Sequence, residues 1–278
     1  METGENNANL IKSSTFNIAL HEQYHLSLEI SFTKFKFCII NNNLKCEYFE
    51  EHTLDTNNYI NRITSIINNH KVIKSNFKSV SLSYNGFPNT LVPSLIYNKK
   101  DEEKIFKFNT SLVGILLSDD LKSQDSKLLY SVPKKIKDIM TTFFPKAKHR
   151  AQDTIIIEQL SLTNNNQSKM FINILNKKLS ITVFNKHELI LHNIFKFITK
   201  EDILYYTLFC LEQLNISTDE IKVVLFGNIT MKDDKYKLLY EYIRSIDFMQ
   251  QPKLNFPDEF NHINIHQHFS LFSQILCV

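Results

Sequence analysis

"MFINILNKKLSITVFN" (170–185) places two apolar runs on either side of the polar turn Asn176-Lys177-Lys178. A short polar turn between two such runs makes an antiparallel hairpin. "ELILHN" (188–193) adds a third strand. In "TKEDILYYTLFCLEQLN" (199–215) the spacing changes to that of a helix, with Ile203, Leu204, Cys210, Leu211 and Leu214 along one stripe. Thr199 and Asp202 form a capping box at its start. "IKVVLFGN" (221–228) is the next strand and ends in Gly227. The order is three antiparallel strands, a helix and a strand.

The same order occurs about 144 residues earlier, counting Leu26 against Met170. "LSLEIS" (26–31) alternates, with Leu26, Leu28 and Ile30 on one side and Ser27, Glu29 and Ser31 on the other. This is the period of a half-buried strand. The turn Phe32-Thr33-Lys34 leads to "FKFCIIN" (35–41), and a turn at Asn42-Asn43 leads to "LKCEYFE" (44–50). "TNNYINRITSIINNH" (56–70) reads as a helix capped by Asp55 or Thr56. "KSVSLSYNG" (78–86) is a strand ending in Gly86. A repeat of this length marks an internal duplication.

Between the two copies, 91–108 reads as helical with Pro93 in its first turn. "SLVGILL" (111–117) and "LLYSV" (128–132) read as strands, and "PKKIKDIMTTFF" (133–144) as a helix. "TIIIEQL" (154–160) suits a strand or a helix equally. "SLTNNNQSK" (161–169) is the linker, and 233–246 is a further helix. The tail "FSLFSQILCV" (269–278) is apolar enough to dock. The division expected is a flexible N-terminus (1–20), a first lobe (21–165) and a second lobe (166–278).

Composition narrows the function classes. The chain has 278 residues, 43% hydrophobic and 22% charged, which suits a folded globular protein. The formal net charge of +3 comes without a basic block, so nucleic acid is not an expected partner. No apolar run approaches the ~20 residues of a membrane span. The start "METGENNANLIKSS" lacks the basic and apolar parts of a signal peptide, and a cytoplasmic location is the expectation. Cys38, Cys46, Cys210 and Cys277 form no metal or redox motif. Cys38 and Cys46 fall on neighbouring strands and read as buried thiols. Only four glycines occur, which disfavours loops that wrap phosphate.

Two copies of a three-stranded meander, each followed by a helix and a strand, resemble the actin-like ATPase fold, itself ribonuclease H-like. More closely, the chain resembles a bacterial family catalogued as domain of unknown function 3822. The residues that carry this are "TLVPSLIY" (90–97), "LYSVPKKI" (129–136), "FFPKAKHRAQ" (143–152), "NIFKFITKEDILYYTLFCLEQL" (193–214), "VVLFGNI" (223–229) and "LLYEYIRSI" (238–246). The resemblance implies a mixed α/β, two-lobed fold with a cleft between the lobes. Active relatives grip nucleotide there with two Asp-x-Gly turns and a Gly-Gly turn. In this chain the first turn is "ISFTKF" (30–35), with neither Asp nor Gly. In the second, Asn173 stands at the Asp place and Leu175 at the Gly place. The third keeps Gly227, followed by Asn228.

These replacements are expected to remove hydrolysis. Asn lacks the full charge that holds Mg²⁺ beside phosphates. Leu puts a side chain where phosphate oxygens would approach. Loss of a single preorganised donor costs about 2.7–4 kcal/mol of transition-state stabilisation. The expectation is a pseudoenzyme scaffold with no catalytic residue and no bound cofactor, ATP with Mg²⁺ being disfavoured. Its partner would be another protein, a second copy of the chain included. The candidate ligand-contacting residues between the lobes are Thr33, Lys34, Asn173, Asn176, Lys177, Lys178, Gly227 and Asn228. The alternative is an atypical nucleotide binder, with Lys177 and Lys178 toward phosphate. His262, His266 and His268 carry spacings that metals use, but no further ligand completes them, and no metal is expected. No nucleophile elbow, P-loop or zincin motif occurs. Of the adjacent pair Tyr205 and Tyr206, about 100° apart on a helix, one is free to reach the surface.

Overall fold

The computed structural model describes residues 8–163 and 167–277. In chain order the elements are β1 (Ala8–Lys12), β2 (His25–Ile30), β3 (Lys34–Ile40), β4 (Cys46–Thr53), α1 (Tyr59–Asn69) and β5 (Ser79–Tyr84). Then come β6 (Asn89–Pro93), α2 (Glu102–Asn109), β7 (Ile115–Leu121), β8 (Ser126–Val132), α3 (Lys134–Phe143), β9 (Lys148–Ala151) and α4 (Gln152–Thr163). The second half holds β10 (Lys169–Leu175), β11 (Lys178–Asn185), β12 (Glu188–Lys196), α5 (Lys200–Gln213), β13 (Lys222–Gly227), α6 (Asp234–Tyr242), β14 (Ser245–Phe248) and α7 (Phe269–Ser273).

Two sheets repeat one plan. The first runs β1-β4-β3-β2-β5-β9 and the second β12-β11-β10-β13-β14. In each, the hairpin strands are antiparallel and the later strands join in parallel, β5 on β2 and β13 on β10. The ends of β2, β5, β10 and β13 therefore converge on one cleft, the usual ligand crevice of an α/β sheet. A third sheet, β6-β8-β7, is inserted after β5.

β2 differs from its half-buried reading. Leu26, Leu28 and Ile30 pack into the main core, as their alternation predicts. Ser27 and Glu29, on the opposite face, are buried too. The reason is the tail, which returns from the second lobe to cover them. Gln274 donates to Leu28 O and Ser83 Oγ, both at 2.9 Å, and accepts from Ser81 Oγ at 2.7 Å. Ser270 Oγ donates to Glu29 at 2.5 Å. Leu271 and Phe272 pack with Cys38, Ile40, Cys46 and Phe49. The expected second lobe of 166–278 therefore hands its last segment to the first lobe. Cys38 and Cys46 are buried free thiols on adjoining strands.

Other boundaries shift for local reasons. The stretch read as a flexible N-terminus (1–20) supplies an edge strand instead, β1 pairing with β4 from Ala8; residues 1–7 lie outside the described residues. The helix expected over 91–108 begins only at Glu102. Asn89–Pro93 pairs with β8 as an edge strand, where the missing N–H of Pro93 costs no sheet bond. The cap expected from Asp55 or Thr56 is not formed: α1 opens at Asn58 without a side-chain cap, while Asp55 accepts from Asn57 N. α4 is a helix buried almost all round, with Ile155, Ile156 and Ile157 all inside. Such a run has no period to read. The helix expected over 233–246 stops at Tyr242 and gives way to β14. The capping box of Thr199 and Asp202 forms as expected. Among the described residues no helix is long and apolar enough to cross a membrane.

Candidate functional site

The two hairpin turns and the end of β13 enclose a cleft of about 600 Å³, and all eight candidate residues line it. The first turn is closed by its own side chain. Ser31 Oγ accepts from Thr33 N at 3.3 Å and from Lys34 N at 2.9 Å, and Ser31 N donates to Lys34 O at 2.9 Å. The amides that would have to reach phosphate are thus spent inside the turn. In the second turn Lys177 takes φ of +57°, a left-handed conformation usual for Gly or Asn.

Gly227 has a structural reason for being glycine. Its φ is +79°, and a Cβ there would lie 2.3 Å from Ile174 O and 2.4 Å from Asn173 Oδ1. Asn228 N donates to Ile174 O at 2.6 Å, so this amide also stays within the sheet. Asn173 is buried on the cleft floor, with its Nδ2 unpartnered. Gln152, a site residue that sequence reasoning missed, lines the same cleft and has a buried Oε1 without a partner.

Charge in the cleft is one-sided. Five lysines line it and, among the described residues, no Asp or Glu does. Two of the five are compensated from behind. Lys34 meets Glu51 at 2.7 Å, and Lys36 meets Glu29 at 3.2 Å and Glu51 at 3.6 Å. Lys178 instead donates to Gly86 O at 2.8 Å. Burial, with Lys196 nearby, lowers its ammonium below the usual lysine value. Lys235 reaches Asn228 O at 3.5 Å.

The family described as "Protein of unknown function (DUF3822)" matches residues 13–246. The chain belongs to this family. A Bacteroides thetaiotaomicron protein with an actin-like ATPase fold and unknown function is similar in structure. It shares 22% identity at a TM-score of 0.78, over 85% of this chain and 94% of its own. The PilM-PilN type IV pilus biogenesis complex contains a chain similar at a TM-score of 0.59 and 9% identity, covering 91% of this chain and 96% of that one. The fold of this DUF3822 chain is therefore the actin-like ATPase fold. No curated protein matches it.

The histidine segment of this DUF3822 protein does not converge. His266 Nε2 bonds Ile229 O at 2.8 Å and borders the cleft. His268 is buried 4.0 Å from Glu51, and burial followed by nearby lysines holds it well below the ordinary histidine range. Among the described residues no group of three or more His, Cys, Asp or Glu could hold a metal. Of the tyrosine pair, Tyr206 stacks on Phe195 at 4.4 Å while Tyr205 is 61% exposed.

A second cavity of about 660 Å³ adjoins the cleft, and sequence reasoning missed it. Asp153, Asn89, Ser180 and His192 line it. The available signal was Asp153 itself, an acidic residue directly before the apolar "TIII". His192 faces Thr182 across β11 and β12, a pairing visible only once their register is known.

Proposed function

We propose that this DUF3822 protein is a non-catalytic actin-like module that serves as a platform for a protein partner. The observation that carries this reading is the closed first turn, whose Thr33 and Lys34 amides are both taken by Ser31 Oγ. The absence of Asp and Glu from the described cleft lining supports it, because a carboxylate normally holds the metal beside the phosphates. An exposed aromatic face offers a contact surface. Tyr205 and Phe209 of α5 stack on one another, and Tyr240 of α6 is 60% exposed. A similar fold occurs in a complex of two pilus biogenesis proteins, which fits a platform role.

A second reading rests on Lys177 and Lys178, which stand at the cleft without a carboxylate partner among the described ion pairs. On that reading the cleft still holds an anion such as a nucleotide but does not hydrolyse it. One experiment separates the two. Purified protein is assayed for release of phosphate from Mg·ATP and Mg·GTP, and its melting temperature is followed at millimolar nucleotide. The platform reading predicts neither turnover nor a rise in melting temperature, since any ligand of the native state must stabilise it. A rise without turnover, lost in Lys178→Met, would favour the second reading. Turnover would defeat both.

A further inference from the structure

The second cavity lies between segment 86–91 of the first lobe and strands β11 and β12 of the second. Its most unusual member is Asp153, in the first turn of α4 and only 3% exposed. Asp153 Oδ2 accepts from Asn89 Nδ2 at 2.7 Å, and Oδ1 has no partner. Two ionisable groups face it: Lys178, which acts on it through space while donating its hydrogen bond to Gly86 O, and His192, whose Nε2 stands 4.0 Å from Oδ1, beyond hydrogen-bond reach. Burial pushes the His192 pKa below its ordinary value, against the pull of Asp153. A buried carboxylate is thus left without a cation in contact, an arrangement folded proteins avoid unless something else pairs it.

Three more unpartnered, buried atoms belong to residues of the cavity wall. Asn89 Nδ2 donates to both Asp153 Oδ2 and Phe87 O, which fixes the amide orientation and leaves Oδ1 as a free acceptor. Ser180 Oγ is buried without a partner. His192 Nε2 is open as well, while Nδ1 is held by Thr182 Oγ1 at 2.9 Å. Lys178 and Lys196 supply positive charge along the same lining.

The occupant follows from this inventory. Water would bond the unpartnered atoms but bring no positive charge into contact with the carboxylate, on which Lys178 acts only through space. A divalent metal ion would meet one carboxylate and two lysines, too little negative charge to hold it. An ammonium group carries one positive charge and only donors, which matches acceptors on Asp153, Asn89 and Ser180. An acidic group on the same molecule would answer the two lysines. We propose that the second cavity binds a small amino-acid-like zwitterion, with its ammonium on Asp153 Oδ1 and its acidic group toward Lys178 and Lys196. This site goes beyond the platform function and does not depend on it.

The test is a thermal-shift series on the full chain with each standard amino acid at roughly 10 mM, where a ligand with millimolar affinity still stabilises measurably. The expected result is a raised melting temperature with at least one of them. Asp153→Asn keeps the shape and can still accept from Asn89, but it should abolish the rise. Lys196→Met alters an exposed residue and should weaken binding about tenfold, which keeps the test decisive if Asp153→Asn folds poorly. The proposal is overturned if no amino acid raises the melting temperature, in which case the cavity holds water alone. It is also overturned if the rise is unchanged in either variant.

Discussion

Gly86 lies two residues past the end of β5 in the first lobe and Gly227 ends β13 in the second, at φ of +71° and +79°. Their places differ by two residues: Gly227 stands opposite Ile174, whereas Tyr84, not Gly86, stands opposite the equivalent Ile30. Around Gly86 a Cβ would meet nothing within 4 Å, whereas at Gly227 it would strike Ile174 O at 2.3 Å. The first glycine serves its own backbone turn; the second also lets two strands close on one another. A similar contrast runs through both lobes. His25 at the start of β2 is buried between Ser79 and Ser81, while Lys169 at the start of β10 is only partly buried, beside Lys222. The tail makes this difference, because it buries the second face of the first sheet and leaves β12 of the second half-exposed. Duplicated topology therefore does not carry duplicated environments.

Removing the tail's packing should have the largest effect. Phe272→Ala should cost about 3–5 kcal/mol by urea unfolding, as for other fully buried aromatics. Tyr240→Ser, on the exposed face of the second lobe, should change stability by less than ~0.5 kcal/mol. Equal losses would mean that the tail is not what distinguishes the lobes. Next in size, Gly227→Ala should cost about 3 kcal/mol or more, from a backbone clash added to left-handed strain. Gly86→Ala should show only the strain, about 1–2 kcal/mol. If the two were equally costly, the close approach of β10 to β13 would be wrong.

Acid should act on the first lobe through His25, whose pKa burial lowers to about 4 from its ordinary 6.5. The unfolded chain binds the proton more readily, so this stability is complete above about pH 6.5 and is lost as pH falls toward 4. The loss approaches about 3 kcal/mol from this group. His25→Gln should flatten that limb of a melting-temperature profile between pH 7 and 4, and an unchanged slope would reject the assignment. A smaller loss belongs to the closed turn. Ser31→Ala removes the hydroxyl that holds Thr33 N and Lys34 N, at about 1 kcal/mol, and hydrogen exchange at those two amides should quicken. Slow exchange in the variant would show that something other than Ser31 keeps the turn closed.

The strand plan was legible because alternating and helical periods survive translation into two similar sheets. The capping box at Thr199 could be read for the same reason, while the cleft position of Asn173, Lys177 and Gly227 followed from the resemblance to the actin-like fold. What could not be read depended on contacts far apart in the chain. Ser27 and Glu29 look like surface residues until residues 270 and 274 arrive to bond their strand and its neighbours. Pro93 suits a helix start as well as an edge strand, and pairing with β8 decides it. Asp153 and His192 lie on different lobes, so no spacing in the sequence could bring them together.

The proposed platform role requires a cleft that keeps the actin-like architecture without gripping triphosphate. Isothermal titration of the purified chain with Mg·ATP reads this directly. The account predicts no saturable heat at millimolar nucleotide. Micromolar binding accompanied by steady release of phosphate would contradict it.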